Sequence, residues 1–140
     1  MNPMNSEKRD RRSERGSAAT KFVLILLVLV LIGHAGFNYV PVAYSAENFK
    51  AEMQTAVVNG MAVPSTVKPV DNVRIRIQKA AADNDIPSDM VLDVKMNTQT
   101  VVAHASYTKK VNLLPFGMYV YDYKFDYTAI PSGYLLKDSK

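Results

Sequence analysis

Hydrophobic and polar positions divide the chain into three regimes. From Phe22 to Gly33 every residue is apolar, and no side chain between Lys21 and Glu47 carries a formal charge. His34 to Val40 continues the run with mixed polarity. About 20 residues rising 1.5 Å each cross a hydrocarbon layer of roughly 30 Å. Phe22 to Pro41 has that length, with Tyr39 and Tyr44 placed as interfacial anchors. Past Pro41, a natural kink position, the pattern turns amphipathic. Ala46, Phe49, Met53, Ala56 or Val57, and Gly60 fall on one face at steps of three and four, with Glu47, Lys50, Glu52 and Gln54 mostly elsewhere. Gly60 is a natural stop.

Met61 to Lys68, with Pro64 and Ser65, reads as a connector. A second helix is predicted over 69–82. Pro69 suits its first turn and Asp71 its positive dipole end. Val70, Val73, Ile77 and Ala80 or Ala81 form the buried face, leaving Arg74, Gln78 and Lys79 wet. Asp83-Asn84-Asp85 ends it. The period then becomes two. Leu92, Val94 and Met96 alternate with Asp93 and Lys95, and Asn97-Thr98-Gln99 makes a turn. Val101, Ala103, Ala105 and Tyr107 alternate with Val102, His104, Ser106 and Thr108. Lys109 and Lys110 are expected to break this pattern before Val111–Leu114, and Pro115-Phe116-Gly117 forms the next turn. The clearest strand is Tyr119–Thr128: Tyr119, Tyr121, Tyr123, Phe125 and Tyr127 face one way, and Val120, Asp122, Lys124, Asp126 and Thr128 the other. Ile130-Pro131-Ser132-Gly133 closes the sheet.

The expected fold class is therefore α+β. An N-terminal transmembrane helix extends into an amphipathic helix, and a second helix covers one face of a three-stranded antiparallel meander. The division is a basic cytoplasmic tail at 1–21, a transmembrane helix at 22–44 and an exported α+β domain at 45–140.

Charge changes the picture only once it is located. The chain of 140 residues carries +4, yet residues 1–21 alone hold +3 and residues 47–140 hold +1. A nearly neutral domain lacks the basic footprint of a nucleic-acid binder. Basic residues before the span keep the N-terminus in the cytoplasm by the positive-inside rule, making a single-pass membrane protein with residues 47–140 exported. The competing processing route is signal-peptide cleavage after Ser45, against which the stretch between Gly33 and that site is long. With no cysteine, disulfides and thiolate metal sites are excluded.

Candidate chemistry is sparse. His34 lies inside the span without a carboxylate partner there, so it reads as a neutral residue of the outer helix. Gly33, His34 and Gly36 form the candidate membrane-helix contact. His104 stands alone on a polar strand face. Asp83, Asp85 and Asp89 lack the glycine and closing glutamate of a calcium loop and read as capping and solvated residues. No catalytic residues, cofactor site or metal site are assigned. The aromatic row Tyr119, Tyr121, Tyr123, Phe125 and Tyr127 reads first as a core-facing strand; where no helix covers it, it is the candidate contact surface.

Two resemblances rest on particular residues. Glu14-Arg-Gly-Ser-Ala-Ala-Thr-Lys21-Phe followed by the Leu/Val run resembles the N-terminus of TadE-like pseudopilins, with Lys21 where that group carries glutamate. This implies a component of pilus assembly, processed after Gly16. Tyr39-Val-Pro-Val-Ala-Tyr44 and Asn112-Leu-Leu-Pro-Phe-Gly117 resemble a group of small single-span bacterial envelope proteins carrying a domain of unknown function. This implies architecture and location, and no activity.

The expected function is that of a non-enzymatic, membrane-anchored cell-envelope protein acting through protein–protein contacts, in its specific version pilin-like or pseudopilin-like. Its partners would be membrane lipid and a second protein or further copies of itself, not nucleic acid. The alternative is a periplasmic ligand-binding or sensor module on a single-span anchor, which predicts a concave pocket on the sheet face.

Overall fold

The computed structural model describes residues 12–62 and 68–131, with side chains from residue 18 onward. The first part of the basic tail, Pro64 and Ser65 of the connector, and Ser132 and Gly133 lie outside the described residues. Helix α1 spans Arg12–Gly60, α2 spans Pro69–Asp83, and strands β1 (Val91–Asn97), β2 (Thr100–Asn112) and β3 (Val120–Ala129) follow. The strands pair antiparallel in the order β1-β2-β3, so the chain is α+β with a three-stranded meander.

α1 is one helix of 49 residues that starts well before the apolar run and passes through Pro41 without ending. Pro41 lacks the N–H that would bond the Phe37 carbonyl four residues back. The two halves of this helix differ in environment. Side chains from Phe22 to Val30 are all exposed, Phe22 at 67 % and Val30 at 62 %. From Ala46 onward the stripe is buried: Ala46, Phe49, Met53, Ala56 and Val57 are all at 5 % exposure or less. Both Ala56 and Val57 belong to it. Among the described residues this is the one helix long and apolar enough to cross a membrane.

α2 follows its sequence pattern, with Val73, Ile77, Ala80 and Ala81 buried. Lys68 is extended at its N-cap and Pro69 opens the first turn. Its C-terminus closes in a Schellman-type arrangement. Ile86 N–H donates to the Ala81 carbonyl at 2.9 Å, Asp85 N–H to the Ala82 carbonyl at 3.4 Å, and Asp85 takes φ +52°. Asn84 adds its side-chain amide to the Ala80 carbonyl at 2.9 Å. The Asp83-Asn84-Asp85 run is thereby accounted for as helix termination.

The core lies between the sheet and the two helices. Phe49 of α1 meets Tyr107 of β2 and Phe125 of β3, with ring centroids 6.3 and 5.6 Å away. Ala103 and Ala105, both fully buried, leave room for the helix layer. Two helices, rather than α2 alone, therefore cover the inward face. The opposite face carries Asp93, Lys95, His104, Ser106, Lys124 and Asp126, and is polar.

The expected break at Lys109–Lys110 does not occur, since β2 continues to Asn112. Lys109 takes an inward position between Tyr107 and Val111. Its side chain is partly buried and Nζ donates to the Asp85 carbonyl at 2.9 Å, so the charged head stays paired outside the apolar neighbourhood. β3 starts at Val120, one residue later than expected, leaving Tyr119 in the turn.

Candidate functional site

β3 and α1 run alongside each other in the same direction. Tyr39 packs against Tyr121 and Tyr123 at 6.1 and 6.0 Å between ring centroids. Further along, Phe49 meets Phe125, and the Lys50 ammonium lies 5.1 Å from the Tyr127 ring centre. Gln54 then accepts from the Tyr127 hydroxyl at 3.2 Å and donates to the Ile130 carbonyl. The end of the sheet that begins β3 therefore lies towards the exposed apolar half of α1.

This order sorts the aromatic row. Phe125 is core at 8 % exposure, and Tyr123 and Tyr127 are half-buried against it. Tyr121 at 39 % and Tyr119 at 53 % remain open. The candidate contact surface thus shrinks from five residues to the end of the row nearest the apolar helix, because α1 covers the rest. Burial pushes the Tyr107 hydroxyl up to about 12, with the charge of Tyr123 adding to it. Tyr123 is also raised, first by burial and then by Tyr39, Glu47 and Tyr121.

The β2–β3 turn stands at the same end. Pro115 to Met118 closes it with a Met118 N–H to Pro115 carbonyl bond of 3.4 Å, and Phe116 and Gly117 have φ of +59° and +70°. Phe116 is 99 % exposed and Met118 67 %. At the opposite end the β1–β2 turn, Thr98-Gln99, is polar.

The remaining candidates separate. Gly33 and Gly36 lie on the exposed half of α1, with open space where a β-carbon would stand. His34 pairs with Asn38 one turn on, the Asn38 amide lying 3.2 Å from its Nε2 and donating to its carbonyl at 2.9 Å. His104 Nε2 lies 3.1 Å from Asp126 Oδ1, an exposed cross-strand pair on the polar face. Among the described residues no three His, Asp or Glu side chains come together as a metal site. A groove of about 270 Å³ between α1 and α2 is lined by Glu52, Arg76, Lys79 and Asp83, whose mixed signs favour neither anion nor cation.

Sequence reasoning missed the docking of Tyr39 on the sheet. Its only sequence signal was a tyrosine at the end of an apolar run, which also fits an interfacial anchor. No protein-family model, curated protein or solved structure matches this chain.

Proposed function

We propose that this chain is a non-enzymatic, single-pass protein of the bacterial cell envelope that holds a small α+β head at the membrane surface and works through protein contacts. The observation that carries this reading is the divided helix α1. From Phe22 to Val30 its side chains are apolar and exposed, and from Ala46 onward it is the main helical wall of the head's core. A free apolar half of this length is costly in water and at home in lipid. In the finer version the basic tail lies in the cytoplasm, the anchor in the inner membrane, and the head in the periplasm or outside the cell. Copies of the chain, or a second protein, contact the span and the open sheet edges, as in a pilin-like assembly. That last step is fold-level analogy. The near-neutral head favours protein and lipid partners over nucleic acid.

Cleavage after Ser45 fits this arrangement poorly. Ala46 is 1 % exposed and sits mid-helix in the core, so cleavage would place a new charged amino terminus against the buried stripe. The sensor alternative wants a concave site on the sheet; the inward face is filled by α1 and α2, and the outward face offers an open depression of about 410 Å³ lined by Ser106, Thr108, Lys124 and Asp126.

Intact mass of the membrane-extracted protein, with crosslinking in the native membrane beforehand, tests the reading. A full-length mass with a ladder of crosslinked copies or one discrete partner supports an anchored assembly component. A chain beginning at Ser17 supports the pseudopilin version. A soluble chain beginning at Ala46 overturns the proposal.

A further inference from the structure

Phe116 breaks two local rules at once. The two central positions of its turn both have positive φ, where glycine or asparagine are the residues of choice. A bulky residue there is strained, and nothing within the head compensates, because the side chain is 99 % exposed. Met118 and Tyr119 are exposed beside it, and Leu113, Leu114 and Pro115 are only half-covered. Apolar exposure concentrated on one tight turn is a contact device rather than a scattered surface residue.

Position in the fold says what it contacts. β3 runs with α1, and Tyr121 and Tyr123 are level with Tyr39. The chain before Tyr121 therefore points towards the apolar half of α1. Met118 lies three residues before Tyr121 in the chain, a reach of at most about 10 Å at roughly 3.3 Å per residue. The turn thus reaches past Tyr39 on the side of the exposed span. Charge obeys the same boundary. On α1 the first charged residue after the span is Glu47, and on the hairpin the first charged pair is Lys110 facing Asp122. Val111 to Tyr121 contains no charged side chain, matching the uncharged stretch from Phe22 to Ala46. Both uncharged segments lie at one end of the molecule.

We propose that the β2–β3 turn is a second membrane contact, a wedge in which Phe116, Met118 and the flanking leucines enter the acyl-chain boundary while Tyr119, Tyr121 and Tyr39 sit at the headgroup level. This rests on α1 spanning the bilayer. Interfacial elements bury apolar side chains roughly 5–10 Å deep, which the reach of the turn matches. Tyrosine at the headgroup level is the usual placement. Two points of attachment fix the tilt of the head, which a single helix leaves free to swing.

The chain contains no tryptophan, so a single substitution creates a lone fluorescent reporter. The full-length protein is reconstituted in phosphatidylcholine vesicles, with matched vesicles brominated on the acyl chains near the headgroup. Phe116→Trp, Gln99→Trp at the far turn and Leu29→Trp in the span are compared, the last also with bromines near the chain ends. The expected result is blue-shifted, bromine-quenched emission for Phe116→Trp, together with water-like, unquenched emission for Gln99→Trp. An unquenched Phe116→Trp beside a quenched Leu29→Trp overturns the wedge and leaves the span intact. An unquenched Leu29→Trp overturns the span itself, and the wedge with it.

Discussion

Val73 occupies the place where a β-carbon on Gly60 would stand. The last residue of α1 is thus pressed against the first turns of α2, and the absence of a side chain sets how closely the helices approach. Gly60→Ala should improve intrinsic helix propensity by about 1 kcal/mol and still destabilise the head, since overpacking of this kind costs roughly 1–3 kcal/mol. Urea unfolding of the full-length protein in detergent measures the difference. Adding Val73→Ala to Gly60→Ala should cost less than the two separate losses combined.

Phe49 joins both long strands to α1, and it is fully buried. Phe49→Ala should destabilise the head by about 3–5 kcal/mol. The loss should appear as a lowered thermal midpoint of the sheet signal, with the helicity of the apolar half of α1 retained in detergent. A midpoint unchanged from the parent would mean that α1 does not wall the core.

Tyr39 and Tyr123 meet edge-on with ring centroids 6.0 Å apart. A double-mutant cycle with Tyr39→Ala and Tyr123→Ala should return a coupling energy of about 0.5–1.5 kcal/mol, the range for aromatic pairs. A coupling of zero would show that the helix leaves the head unattached at this level.

Alkaline pH should unfold the head early. Tyr107 ionises at about 12 in the folded chain against an ordinary value of 10.0. Between those values the unfolded chain has released a proton that the folded chain keeps. Stability is therefore full below about pH 10 and falls as pH rises through about 12. Tyr123, raised in the same direction, adds to the slope. Tyr107→Phe should flatten that part of the curve, as read from denaturant midpoints across the alkaline range.

Much of the fold was legible because short-range periodicity carries it. Ala46, Phe49, Met53, Val57 and Gly60 recur at helical steps and Val101–Tyr107 alternates, so these buried faces could be written down from spacing alone; in the Leu92–Met96 alternation only Val94 is buried, and Met96 stays 50 % exposed at the end of the sheet. Lys109 was illegible because a charged residue in an inward position reads as a break until its distant acceptor, the Asp85 carbonyl, is known. The helical stretch from Arg12 to Lys21 carries no apolar signal. The candidate surface suffered similarly: all five aromatics of the β3 row look equivalent by alternation. Only the position of α1, a long-range fact, separates buried Phe125 from open Tyr121. The exposure of Phe116 was hidden because Pro-Phe-Gly marks a turn without saying what the turn faces.

An unbroken α1 also ties two azimuths together. The stripe that begins at Ala46 fixes how the helix is rotated against the sheet, and because the winding continues through Pro41, it fixes which way Gly33, His34 and Gly36 point. Successive residues turn by about 100° at 3.6 per turn. One residue inserted between Tyr39 and Ala46 would swing the head by about 100° relative to any helix packed on that side. Whatever grips the lower half of α1 thereby sets the compass bearing of the sheet above it.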